Sequence, residues 1–149
     1  LERYQWNFER FANHNKSYGL VEKQMKKIEL QVDRLHEEKK YPHAELKFLE
    51  ETAEVIKKCR VILKWTYACR YLVKFSEQEE ARFLFSQSWL EDNCERAHQL
   101  LDTNLNKFIE TEDPDRKPFW DFKEDVLNKL TALQQQYTGF IGENWNIDE

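Results

Sequence analysis

Two apolar stripes run at helical spacing through residues 43–73. One comprises Leu46, Leu49, Ala53, Ile56, Leu63 and Tyr67, the other Phe48, Val55, Cys59, Ile62, Cys69 and Val73. A helix with one apolar stripe lies on a surface, whereas a helix with two must be covered from two sides. The segment is therefore predicted to be the inner helix on which the others pack. Arg60 and Arg70 interrupt it. An arginine in such a place extends to the rim or pairs with a carboxylate, and in a chain with 28 acidic residues pairing is expected for both.

The remaining elements follow from the same periodicity. From Arg3 to about Glu38, Tyr4, Phe11, Tyr18, Met25 and Val32 form one line, with His14, Val21, Ile28 and Leu35 beside it. That predicts one helix of about 36 residues, roughly 54 Å long, continuous across Gly19. His14 on the seam is expected to be a core histidine satisfied by one hydrogen bond. Lys39 to Pro42 form a loop, with Pro42 placed to open the inner helix. Ser76 followed by Glu79 is a capping box, and the third helix is predicted from there to about Glu110. Its buried line is Phe83, Leu90, Cys94 or Ala97, Leu101, Leu105 and Phe108. After the loop ending at Pro118, Phe119, Phe122, Val126, Leu130, Leu133, Tyr137 and Phe140 predict a fourth helix that frays at Gly139 and Gly142, with Trp145 and Ile147 free to dock on the bundle. Four long helices with short connections must alternate in direction, because a short loop reaches only an antiparallel neighbour. The expected fold is all-α, an elongated antiparallel bundle of four long helices forming a single domain over residues 1–149.

Composition agrees. Three glycines and three prolines in 149 residues suit few, long elements. Such a chain buries roughly 70% of its unfolded surface without a covalent staple. The net charge is −5 with both signs interleaved, which disfavours nucleic acid and anionic membrane as partners. No 18-residue apolar window is present. The stripes account for the apolar residues, so a monomer is expected. The chain begins mid-pattern without methionine and is expected to be a fragment of a longer one. Cys59, Cys69 and Cys94 lack zinc-ligand spacing, and the first two lie about 15 Å apart along one helix. They are expected to be buried free thiols, which points to the cytoplasm or nucleus.

Candidate chemistry is sparse. No nucleophile has a base at usable spacing, and no glycine-rich phosphate loop occurs. Glu95-x-x-His98 matches the spacing of carboxylate-bridged di-iron bundles and Asp33-x-x-His36 echoes it, but both pairs flank their apolar lines, and no metal is expected. Aromatic residues make up 14% of the chain. Trp6, Trp65, Trp89, Trp120 and Trp145 do not all fit the stripes, and exposed tryptophans serve as anchors at protein interfaces. From the residues alone, a binding module is the reading that follows, including a free-standing scaffold or adaptor acting through aromatic patches.

Two stretches resemble a known family. In RYQWNFERFANHNKS, Arg3, Tyr4, Phe8, Arg10, Phe11, Asn13, His14 and Ser17 match the opening of the Ariadne domain. In CRVILKWTYACRYL, Cys59, Arg60, Leu63, Thr66, Tyr67, Tyr71 and Leu72 match its second signature. The later FLFSQSWLEDNCERAHQLL also fits, so the resemblance spans essentially the whole chain. It implies a domain that follows a zinc-binding RING-between-RING module in an E3 ubiquitin ligase, whose catalytic cysteine receives ubiquitin from an E2. It further implies that the domain covers that cysteine in cis until a neddylated cullin-RING ligase draws it away. No zinc, cofactor or catalytic residue is expected within this chain itself. The family's inhibitory contacts, a Phe-Glu pair early in the first helix and a glutamate in the third, fall on Leu20, Val21 and Glu95. The departure at Leu20 and Val21 leaves Glu22 one place late, and implies a weaker or rearranged grip.

Overall fold

The computed structural model describes residues 1–144. Its helices are α1 (Glu2–Lys39), α2 (His43–Leu72), α3 (Glu77–Leu101), α4 (Asn106–Glu110) and α5 (Lys117–Asn144), with no strand among the described residues. The four long helices pack antiparallel, as their apolar periodicity predicts. Arg3 reaches the carbonyl of Arg70, and Phe83 lies against Phe140, so the start of α1, the end of α2, the start of α3 and the end of α5 share one end of the bundle. At the other end Tyr41, Phe48, Phe108, Phe119 and Phe122 form one aromatic cluster.

The inner helix is α2, which packs on α1, α3 and α5. Leu46, Leu49, Ala53, Ile56 and Leu63 are fully buried. The second stripe is less complete: Phe48 and Cys59 are buried, Val55, Ile62 and Cys69 partly so, and Val73 is exposed, because it lies beyond the helix as its C-cap. On α1 the buried seam is a strict heptad of Asn7, His14, Val21, Ile28 and Leu35, while Tyr4 through Val32 run along its edge.

The helix ends have local causes. α1 closes with Lys40 in the left-handed region (φ 62°), its N–H bonded to the His36 carbonyl, which turns the chain so that Tyr41 is buried. Pro42 is the N-cap of α2. Ser76 and Glu79 make both bonds of the capping box. One boundary differs from the expectation. The third helix ends at Leu101, not near Glu110, and α4 is a separate turn. Residue types such as Asn compete with the helix through side-chain bonds to nearby backbone, and Asn104 Oδ1 takes the amide of Asn106 at 3.0 Å. The break still leaves Leu105, Phe108 and Ile109 in the core. α5 also runs on through Gly139 and Gly142 to Asn144, with no fraying at either, because Phe140 between them is anchored at 2% exposure. Trp145 and Ile147 lie outside the described residues.

Leu49, fully buried where α2 is covered, should lose about 2–5 kcal/mol of stability as Leu49→Ala. A methyl group at Gly19 meets nothing within 4 Å inside a continuous helix, so Gly19→Ala should gain about 0.5–1 kcal/mol. Urea unfolding of the two variants checks both signs.

A candidate interaction site built on a buried arginine

Midway along the bundle, α1, α2 and α3 meet around Arg60, which is 1% exposed. Its Nη1 donates to Glu95 Oε1 at 2.8 Å and to His14 Nδ1 at 3.0 Å, and its Nη2 donates to His98 Nδ1 at 2.9 Å. His14 therefore carries its proton on Nε2, which donates to Glu91 Oε1 at 2.8 Å. The other oxygen of Glu91 accepts from the Tyr67 hydroxyl at 2.7 Å, and the Tyr67 and His14 rings stack. One turn along, Gln87 donates to Thr66 Oγ1 and accepts from Arg70. A buried polar network is stabilising only when its members are satisfied. Among the described residues the exceptions are Arg60 Nε and, farther off, Asn7 Oδ1 and Gln24 Oε1.

The expected carboxylate partner of Arg60 is thus Glu95. Arg70 departs from the same expectation: it pairs with the Gln87 amide rather than a carboxylate, and it lies near the helix end, where partial solvation lowers the need for a counter-ion. His14 makes two hydrogen bonds where one was expected. Glu95-x-x-His98 converges on a cation, but the cation is the Arg60 guanidinium. His36 instead bonds the Tyr41 carbonyl and stacks on His43, while Asp33 is exposed. Among the described residues no three His, Cys, Asp or Glu side chains are arranged to hold a metal.

Charges in the network reinforce one another. Burial opposes the Arg60 charge, but the Glu95 bond and the nearby Glu91 carboxylate outweigh it and raise its pKa above the ordinary value. The Arg60 bond in turn holds Glu95 below the usual carboxylate range. Glu91 is held low despite burial by His14 and Tyr67. Burial and then the Arg60 charge hold His98 below its ordinary 6.5. Burial pushes the Cys94 thiol up to about 12 and the Cys59 thiol higher still, so neither is a reactive thiolate at neutral pH.

Glu95 is nevertheless half exposed, and its Oε2 accepts nothing from the described residues. The His14–Glu91 and Gln24–Asp102 bonds tie α1 to α3 on either side of it, so residues 20–22 run past the same stretch of α3. Leu20 lies four residues before Gln24, on the same side of α1, and is 47% exposed. Val21 is fully buried on the core seam and offers no surface to a partner. Glu22 is exposed but projects about 200° around the helix from Leu20.

No family model matches the chain. It is 32% identical over 139 residues to the probable E3 ubiquitin-protein ligase ARI7 of Arabidopsis thaliana, covering 92% of this chain. It is 30% identical over 141 residues to the E3 ubiquitin-protein ligase dbl4 of Schizosaccharomyces pombe, and 25% identical over 141 residues to the probable ligase rbrA of Dictyostelium discoideum, covering 91% and 95% of the chain. The chain is homologous to Ariadne-family RING-between-RING ligases. The match falls in their C-terminal quarter, and the chain spans only 24–26% of the length of these three relatives.

The Ariadne signature residues divide clearly in space. His14, Arg60 and Tyr67 form the network, Thr66 bonds Gln87 one turn along from it, and Cys59 is buried beside Arg60. Arg3 and Tyr4 lie at the bundle end, and Asn13 is exposed. Glu91 and Gln87, which no motif singled out, are as central as any of these. Their signal was a polar line on α3, Gln87, Glu91, Glu95 and His98 at spacings of four, four and three, running beside the apolar one.

The network carries a pH dependence whose sign follows from these shifts. The unfolded chain takes up the His98 proton at a higher pH than the folded one, so stability falls as pH drops below about 6.5. The Glu91 and Glu95 contributions, present above the ordinary carboxylate pKa of 4.5, are lost at still lower pH as each protonates. His98→Asn, whose carbonyl can still accept from Arg60, should flatten the decline between pH 7 and 5 and leave the lower one. Thermal midpoints measured across that range check it.

Proposed function

We propose that this Ariadne-type domain is the regulatory, autoinhibitory part of a RING-between-RING E3 ubiquitin ligase. In this reading it covers the ligase's own catalytic RING-type domain in cis, blocking passage of ubiquitin from the E2, until a neddylated cullin-RING ligase pulls it off. The chemistry is performed by that other domain and its zinc, in the cytoplasm or nucleus. This chain contributes a docking face. The observation that carries the reading is Glu95, a carboxylate fixed by a buried guanidinium yet half exposed, with Leu20 exposed on the neighbouring helix. A carboxylate already ordered and kept ionised loses little conformational freedom on accepting a partner's hydrogen bond. In this reading the fully buried Val21 does not itself touch the docked domain, and Glu22 contributes only if that domain wraps around α1.

Ubiquitin discharge from a charged E2 by the full-length ligase tests this. Glu95→Gln keeps an acceptor for Arg60 but loses the charge, and Glu95→Ala loses both. Each should raise discharge, by roughly tenfold for about 1.5 kcal/mol of lost charge-assisted bonding. Leu20→Ala should raise it further in combination. Wild-type discharge from a folded Glu95→Gln protein would show that Glu95 does not touch the catalytic domain.

A further inference from the structure

The outer face of the α1–α2 pair, on the opposite side of α1 from Leu20, pairs exposed aromatic rings with uncompensated positive charge. Phe11 and Leu20 are nine residues apart, half a turn out of phase. Between the start of α1 and the end of α2 runs an apolar groove of about 240 Å³, walled by Tyr4, Phe8 and Phe11 on one side and Trp65, Tyr71 and Leu72 on the other. Tyr4, Phe8, Trp65, Tyr71 and Leu72 are each 42–75% exposed. Large apolar side chains left open together on one face mark a surface that a partner covers. Tyr4 lies edge-on to Tyr71 at 5.4 Å and Phe11 edge-on to Trp65 at 5.3 Å, so the walls are braced before anything binds.

The rim carries a charge opposite to that of the whole chain. The net charge is −5, yet the stretch from Val55 to Ser76 holds six basic residues, Lys57, Lys58, Arg60, Lys64, Arg70 and Lys74, and no acidic one. Arg60 and Arg70 turn inward, to Glu95 and Gln87. The lysines stay outside. Lys64 Nζ lies 5.6 Å from the Phe11 ring and 5.3 Å from the Trp65 ring, and two turns back along the same seam Lys57 Nζ lies 5.5 Å from the Tyr18 ring. Lys58 is exposed and precedes Trp65 by two turns on one face of α2. At the other end of the groove the Arg3 guanidinium lies 5.9 Å from the Tyr71 ring. Lys64 bonds the Asn15 side chain and Arg3 a backbone carbonyl; among the described residues none of Arg3, Lys57, Lys58 and Lys64 is ion-paired to a carboxylate. Glu2 and Glu9 project about 100° or more around α1 from Tyr4, Phe8 and Phe11, and on this face of α2 the first acid is Glu54, a turn beyond Lys58.

We propose that this face docks an acidic amphipathic helix of a partner protein, which seats large apolar side chains between the aromatic walls and sets carboxylates against Lys57, Lys58, Lys64 and Arg3. Two helices packed side by side leave a groove into which a third lays one apolar stripe, with anchors at i, i+3 or i+4, and i+7. From Lys57 to Tyr71 the face runs about 21 Å along α2, which a partner helix of about four turns matches. Charge complementarity selects the acidic partner and brings it to the groove. A long polyanion is disfavoured, because it would run past these few cations onto a surface that is acidic overall. The proposal goes beyond inhibition through Glu95 and does not depend on it, because the two faces lie on opposite sides of α1.

The probe is the peptide acetyl-Asp-Glu-Leu-Glu-Glu-Phe-Leu-Glu-Glu-Leu-Glu-Ala-amide, titrated into the ¹⁵N-labelled chain and followed by chemical-shift changes. The Trp65 indole should move and the Trp89 indole, on α3, should not. A version with lysine for each acid should bind about tenfold more weakly or worse, and so should a version with alanine for the phenylalanine and leucines. Joint replacement Lys57→Glu and Lys64→Glu leaves the core untouched and should reverse the preference, so that the lysine peptide binds more tightly than the acidic one. Phe8→Ser, at an exposed wall position, should stay folded and weaken the acidic peptide about tenfold. Equal affinity of the unaltered chain for the acidic and lysine peptides, an unchanged preference after charge reversal, or no Trp65 shift at millimolar peptide would overturn the proposal. So would tighter binding of phosphatidylserine vesicles or of a single-stranded oligonucleotide than of the peptide, which would assign the face to a membrane or to nucleic acid. Concentration-dependent dimerisation abolished by Phe8→Ser would equally overturn it, assigning the groove to a second copy of this chain.

Discussion

The bundle depends on a guanidinium that is almost wholly removed from water. Arg60 projects from the inner helix into the junction of three, and its donors reach α1 through His14 and α3 through Glu95 and His98. Apolar stripes alone tolerate sliding, since one leucine replaces another along a seam. A directional set of bonds from one side chain to two other helices does not. The arrangement fixes the axial register of α1, α2 and α3, and Tyr67–Glu91 and Thr66–Gln87 extend it along the same interface.

The same geometry links stability to function. The carboxylate that compensates the buried charge is the one proposed to hold the catalytic domain. It can serve both ends because its oxygens are divided: Oε1 is given to Arg60, and Oε2 accepts nothing from the described residues. A substitution at Glu95 therefore acts on the scaffold and on the docking face together, and only a replacement that preserves the Arg60 acceptor separates the two. Glu91 is a different kind of residue. Both of its oxygens are committed inside the domain, to His14 and Tyr67.

Much of the fold was legible in the chain because it rests on periodicity. The two stripes of α2 identified the inner helix, and the Ser76–Glu79 spacing marked the start of α3. The break after Leu101 was not legible from apolar phase, since Leu105 and Phe108 stay on the buried line across it. Where the helix ends, Asn104 Oδ1 takes the amide of Asn106 and the Asp102 carboxylate accepts from Gln24 of α1, side-chain bonds that a stripe does not register. The site was legible in part. That Arg60 needed a counter-charge follows from its place on a buried helix, and Glu95 was singled out on separate grounds. That the two are partners, with His14 and His98 completing the set, depends on how α1 and α3 are rotated, which sequence spacing leaves open. For Val21 the alignment with an inhibitory glutamate and the heptad seam pointed opposite ways, and in the structure the seam prevails.

Arg60 and Glu95 act as one unit. A double-mutant cycle of Arg60→Met and Glu95→Ala, read by urea unfolding of the 149-residue chain, tests it most directly. The buried position of Arg60, discounted for the half-exposed carboxylate, predicts a coupling energy of about 1 kcal/mol or more, with the double variant less damaged than the sum of its parts. Additive losses, with coupling indistinguishable from zero, would mean that the arginine is carried by its two histidines and that the carboxylate is ordinary surface.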